Sequence, residues 1–266
     1  MLTKRSFFIT ILLLFFVAAG TLGAQDEPED TAAVRFNGIE LSYVPAAFGA
    51  MLPAYNEGTP FQTDAPYFAN VAPHTSFMFM RPDPARPDVD LTGELRVYRL
   101  ADIEAYAEPS YKDVVEQLRT LDTRDLSAFV TVGADYQIPA LPFMPVLNAT
   151  QVFRAQPQAL DFASVKGVEY FTYYSQAAEP ILDGQVMYTY QGITTDEQYY
   201  LSFSMYIETG LLQTVIPADL DWEAFGANYA QYLQDTFNTI NTADATTFSP
   251  APDVMRRFIE SISISE

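Results

Sequence analysis

The chain has 266 residues, with 14 Lys plus Arg against 34 Asp plus Glu, one His and no Cys. The lack of Cys excludes a disulfide-stapled scaffold, a Cys-based zinc site, an iron–sulfur centre and a thiol enzyme. A formal charge of −20 argues against a nucleic-acid partner, and 49% apolar residues argue against a disordered chain.

Residues 1–24 read as a secretory signal peptide. Lys4 and Arg5 supply the positive start, Phe7 to Ala19 the apolar run, and Thr21-Leu22-Gly23-Ala24 ends on a small residue at the expected cleavage point after Ala24. The rival reading is an uncleaved anchor, but the run falls short of the ~20 residues that span a bilayer comfortably. A lipobox needs a Cys, so a lipoprotein is not expected. Cleavage removes two positive charges and no acid, which leaves the mature chain more acidic still. It has no second apolar stretch of transmembrane length, so a soluble protein, secreted or held in the cell envelope, is expected. Without disulfides the core must hold the fold. A chain of this size buries about 70% of its extended surface, which is enough.

Residues 25–32 form an acidic, disordered lead, and 33–266 are read as a single α/β domain. Asn37-Gly38 between the alternating runs Val34–Phe36 and Ile39–Tyr43 predicts a hairpin. Five prolines between Pro45 and Pro73 leave no room for a long element, although Ala46 to Leu52 suits a short helix. Thr75–Met80 is a strand, residues 81–90 an extended Pro-rich loop, and Glu94–Arg99 a half-buried strand by its alternation. Asp102–Ala107 is a helical turn. Ser110 and Asp113 open a helix with a weak capping box, and Val114, Val115, Leu118 and Leu121 follow at helical spacing.

The second half is richer in strands. Val146–Gln156, Ala159–Phe162 and Gly167–Tyr174 are candidates, and Gln185–Gln191 with Gln198–Tyr206 reads as a hairpin through Gly192 and Asp196. Asp219 and Asp221 then open one helix with Trp222, Phe225, Tyr229, Tyr232, Leu233, Phe237 and Ile240 on its apolar face. A last short helix covers Asp253–Ser261. Strands and helices intersperse without strict βαβ alternation. That predicts an α/β (α+β) sandwich with a largely antiparallel sheet flanked by helices.

Candidate chemistry is sparse. His74 is the one histidine, and a Ser-His-Asp hydrolase would have to use it. No Gly-x-Ser-x-Gly elbow accompanies it, so it reads as a surface or strand-edge residue. Asp88-Val89-Asp90-Leu91-Thr92-Gly93 matches the first half of a calcium loop, which makes Asp88 and Asp90 candidate calcium ligands. The twelfth position is Arg99 where a bidentate Glu belongs. Asp219, Asp221 and Glu223 resemble a metal triplet, but acids there more simply cap a helix N-terminus. A glycan hydrolase needs two carboxylates about 5–10 Å apart, a condition that 34 acids meet by chance. No phosphate cradle is present, and no cofactor is assigned. Asn148-Ala149-Thr150 fits a glycosylation sequon. Seventeen Tyr and twenty Phe offer either a sugar- or protein-binding platform or simply core packing, with the core the simpler reading.

Leu141 to Gln156, Leu160-Asp161-Phe162, Val168 to Gln176 and Tyr188 to Thr195 form a central block, preceded by the opening Phe36 to Pro45. This arrangement resembles an uncharacterised family of exported proteins from Chloroflexi-type bacteria, some of them lipoproteins. The resemblance spans most of the mature chain and carries over no activity or catalytic residue. The lipobox Cys of some members is absent. A fainter likeness is to the PsbP/Mog-type sandwich, in which an extended opening precedes an antiparallel sheet, a late hairpin and a long closing helix. Ile39–Pro45, the 185–206 hairpin and the 221–240 helix would take those parts. The likeness implies an accessory role beside larger complexes. The sequence thus predicts an exported, non-enzymatic accessory or binding protein with an envelope or extracellular protein partner. A carboxylate-based glycan hydrolase and a calcium-dependent surface protein are the alternatives.

Overall fold

The computed structural model describes residues 30–81, 91–132 and 140–265. Its first elements are strands β1 (Ala32–Phe36) and β2 (Ile39–Tyr43), joined through Asn37 (φ 50°) and Gly38 (φ 76°). Two successive left-handed residues make the tight turn that Asn-Gly favours. A Cβ on Gly38 would stand 2.6 Å from the Ser265 carbonyl oxygen, so only glycine lets the C-terminal strand approach. That strand, β11 (Ser263–Ile264), pairs with β2 and completes a three-stranded sheet. Strand β1 takes in Ala32, the last residue of the lead read from sequence.

The expected helix over Ala46–Leu52 is a single turn, α1 (Pro45–Phe48), ended by Gly49 at φ 84°. Strand β3 (Ala50–Asn56) follows, where the prolines had argued against a regular element. Pro53 is tolerated because β3 is the edge of its sheet, where a missing N–H breaks no ladder. Strands β4 (His74–Met80) and β5 (Leu91–Arg99) fall where alternation placed them. Helix α2 (Leu100–Ala105) precedes α3 (Pro109–Thr120). The cap of α3 is Glu108, which accepts the Ser110 N–H at 3.3 Å, and not the expected Ser110. Pro109 explains the shift: it has no N–H to satisfy and its φ is already helical, so the helix starts there.

A two-residue strand, β6 (Thr131–Val132), precedes β7 (Thr150–Asp161). The two short strands expected between Val146 and Phe162 are one long strand whose register slips between Gln151 and Phe153 and between Ala155 and Gln158. Such bulges interrupt the period-two pattern without ending the strand. Gln156, at φ 49° in the second bulge, donates from Nε2 to the carbonyls of Ile240 and Ala243 and so satisfies the end of a helix. Strands β8 (Val165–Ser175), β9 (Val186–Thr194) and β10 (Tyr199–Ile207) follow, the last two as the expected hairpin.

The long helix expected from Asp221 is broken into α4 (Trp222–Ala227) and α5 (Tyr229–Asn241) at Asn228. The Asn228 side chain donates to the Ala224 carbonyl and ends the first piece. Asp221 caps α4 by accepting the Ala224 N–H at 3.0 Å, the capping role read for those acids. Leu233, Phe237 and Ile240 are buried as expected, whereas Trp222 remains 54% exposed beyond the break. Helix α6 (Pro252–Glu260) closes the core.

The architecture is an α+β sandwich built on an eight-stranded antiparallel sheet of order β3-β4-β5-β10-β9-β8-β7-β6. Its first face is apolar: Phe77, Phe79, Leu95, Val97, Phe203, Tyr188 and Phe171 pack under α1, α5, α6 and Ile39 and Leu41 of β2. Its second face is covered by α2, α3 and residues 141–144, against Tyr98, Tyr200, Val168 and Tyr170. Tyr98, Tyr170, Tyr188, Tyr190 and Tyr200 are fully buried, so these five strand tyrosines are core. No helix among the described residues is long and apolar enough to cross a membrane.

Candidate functional site

The second face is covered only in part. Strand register places three polar rows across it. Ser76, Arg96, Ser202 and Gln191 are successive cross-strand neighbours, as are Met78, Glu94, Ser204 and Thr189, and then Tyr206, Met187 and Thr172. Neighbours in such rows have Cβ atoms roughly 4.5–5.5 Å apart.

The covered half of these rows serves the fold. Residues 141–145 lie across the sheet, and their backbone cannot join a ladder there. Sheet side chains satisfy it instead: Gln151 Oε1 accepts the Leu141 N–H at 3.1 Å, Tyr170 donates to the Pro142 carbonyl at 2.8 Å, and Gln191 Oε1 accepts the Met144 N–H at 3.1 Å. Ser202 donates to the Met144 carbonyl, and Gln191 Nε2 donates to Thr189 and Ser202 at 2.8 and 2.9 Å. A buried amide left without such partners would be costly, so these residues and the crossing segment specify one another.

The uncovered half is a groove of about 690 Å³ between this segment and strands β5, β10 and β9. Arg96 and Glu94, two apart on β5, form its charged floor. Arg96 Nε donates to Glu94 Oε2 at 2.8 Å, with side chains 23% and 15% exposed. Burial alone would push the Arg96 guanidinium down, but the Tyr98 hydroxyl and Glu94 outweigh it and hold the group above its ordinary value. The hydroxyl of Ser204, opposite Glu94, has no hydrogen-bond partner among the described residues. Gln185 Oε1 accepts the Leu182 N–H at 2.8 Å, which fixes the amide and leaves its Nε2 unpartnered there. Phe143 and Tyr174 line the wall with ring centroids 4.9 Å apart, and Tyr206 is 44% exposed at the rim. Glu179 also lines the groove and accepts from Tyr173 at 3.3 Å and Ser175 at 3.4 Å.

A second cavity, also about 690 Å³, lies at the strand ends between the two sheets. Some of its polar groups hold turns, whereas the Tyr55, Arg99 and Asp102 side chains have no hydrogen-bond partner among the described residues. Asn37 donates to Thr75 at 2.7 Å, and Asp196 accepts from Thr194 at 2.6 Å and from the Gln198 N–H at 3.1 Å. The Asp196 carboxyl is held below its usual range, first by Thr194. The sheet-face groove is the better candidate, because free polar groups, a half-buried ion pair and aromatic rings converge there on a floor of strands paired on both sides.

His74 belongs to the lining of the second cavity but not to that of the sheet-face groove. It is buried, which corrects the surface reading, because it opens β4 opposite Tyr98 on the covered half of the second face. Its ring lies 5.0 Å from that of Tyr98, and Nδ1 contacts the Ala72 carbonyl at 2.8 Å. Desolvation pushes its pKa down to about 4, against the pull of Ala72 and with the help of the Arg96 charge. Ala24, Asp88 and Asp90 lie outside the described residues. Among the described residues no group of three or more His, Asp or Glu is arranged to hold a metal ion.

Sequence reasoning missed Glu94, Arg96, Ser204 and Tyr206 as site residues. They occupy the polar positions of alternating strands, and alternation alone does not separate a solvent-facing row from the floor of a groove. The segment after Leu141 was read partly as strand, so nothing in the sequence indicated that it frames a site. Compared with protein-family models, with curated proteins and with solved structures, the chain matches none significantly.

Proposed function

We propose that this is an exported, non-enzymatic accessory or binding protein, and that the sheet-face groove is where it takes its ligand. The carrying observation is the set of unpartnered polar groups, Ser204 Oγ and Gln185 Nε2, beside the Arg96–Glu94 pair and the Phe143 and Tyr174 rings. Its volume falls in the roughly 300–1,000 Å³ range of small-ligand sites, and the floor is held by strands with neighbours on both sides. Export rests on the residue pattern of positions 1–24, and kinship with the Chloroflexi-type exported proteins and the PsbP/Mog-type sandwich rests on the sequence blocks quoted above. A protein partner from the envelope or extracellular space belongs to the same proposal.

The hydrolase alternative asks for a carboxyl free to pass a proton. Both acids that line the groove are engaged, Glu94 by Arg96 and Glu179 by Tyr173 and Ser175. That arrangement suits positioning better than proton transfer. The calcium alternative rests on Asp88 and Asp90 alone.

The test is capture. Immobilised mature chain, residues 25–266, is exposed to the producing organism's envelope and secreted fractions beside a Ser204→Trp variant that fills the groove. The expected result is a stoichiometric ligand or partner on the wild type that is lost from the equally folded variant. Capture that survives the substitution, or none at all, contradicts the proposal.

A further inference from the structure

The groove's chemistry selects among ligand classes, and we infer that it takes a neutral oligosaccharide. The inference rests on the groove being the binding site proposed above. Charge is the first discriminator. Arg96 is the one cation among the lining residues and is paired with Glu94, while Glu179 is engaged by Tyr173 and Ser175. A phosphate or a uronate would have to share the Arg96 guanidinium with Glu94 and would meet the Glu179 charge besides. A hydroxyl would not.

Hydrogen-bonding sense is the second. Gln185 Nε2 is a donor, the second oxygen of Glu94 an acceptor, and the hydroxyls of Ser204 and Tyr206 both at once; none has a partner among the described residues. Sugar hydroxyls likewise donate and accept, and a mixed set of this kind matches them. The third discriminator is topology. An extended peptide gains affinity by adding to a free sheet edge. Here the floor strands β5, β10 and β9 are each paired on both sides, so they have no free edge to offer. What the groove offers instead is ring surface from the exposed Tyr206, with the Phe143 and Tyr174 rings also in its lining. Flat rings with polar edges suit the apolar C–H faces of a sugar.

The experiment is a calorimetric titration of the mature chain. Its neutral probes are hexasaccharides of β-1,4-glucose, α-1,4-glucose, β-1,4-xylose and N-acetylglucosamine; its controls are an oligogalacturonate, a basic peptide and an acidic peptide. The expected result is binding of at least one neutral oligosaccharide. That affinity should fall at least tenfold in Tyr206→Ala and in Gln185→Glu, which keeps the acceptor for the Leu182 N–H, with melting temperatures unchanged. If only the oligogalacturonate or a peptide binds, and the same variants abolish it, the glycan inference is overturned while the groove keeps its role. Neutral binding indifferent to both variants overturns the glycan assignment and the groove together. No binding across the panel overturns the glycan inference, and the Ser204→Trp capture then decides the groove separately.

Discussion

His74 shows what burial does to a lone reactive side chain. Its ring is tilted against that of Tyr98, one nitrogen is engaged by Ala72, and the nearby Arg96 charge opposes protonation. The folded pKa, about 4, lies below the ordinary 6.5, so the unfolded chain takes up the proton more readily. The stabilisation is fully present above pH 6.5 and is lost as pH falls towards 4. Its upper size is about 3 kcal/mol, from roughly 1.36 kcal/mol per pKa unit. One histidine gives one imidazole signal, so an NMR titration reads it directly, and midpoint broadening near pH 4 is expected. His74→Phe should flatten the acid side of the stability profile, which urea melts at pH 4.5 and 7 would compare. A midpoint near 6.5 would mean the ring is solvated. The His type was legible in the sequence, but its burial was not, because the residues before β4 read only as a Pro-rich loop.

At the scale of elements, one ionic cluster ties α6 to the sheet. Glu169 on β8 is buried and accepts from Tyr188 at 2.6 Å and from Arg256 Nε at 3.0 Å, while Arg256 also reaches Gln158 and Asp253. Removing Arg256 strands a buried carboxylate. Arg256→Met should therefore cost about 3 kcal/mol in chemical denaturation, the low end for such pairs because Arg256 keeps 30% of its side chain exposed. The double variant Arg256→Met with Glu169→Gln should recover most of that loss, since the amide still meets Tyr188. A double variant as unstable as the single would refute the stranded-charge account. Period and turn chemistry made the hairpins and the α5 and α6 faces readable. The break at Asn228, the merging of β7 through its bulges and the placing of Pro53 in an edge strand were not readable. Each depends on what lies beside the segment in space, which local propensity does not carry.

For the whole molecule, the sequence supported the sandwich and its antiparallel sheet but not the unequal cover of the two faces. That inequality arises because residues 141–145 cross one half of the second face and leave the rows through Arg96, Glu94 and Ser204 open. The central claim is that this open half is where the protein meets its ligand. Methyl-labelled methionines test it most directly, because Met187 lines the groove while Met51 and Met255 belong to the opposite face. Residues 25–266 are titrated with a hydrolysate of the producing organism's envelope polysaccharide, and methyl shifts are followed by NMR. The account predicts a saturable shift of Met187 with Met51 and Met255 unmoved. A saturable shift of Met51 or Met255 with Met187 unmoved would contradict it, and no saturable shift at all would contradict the glycan inference.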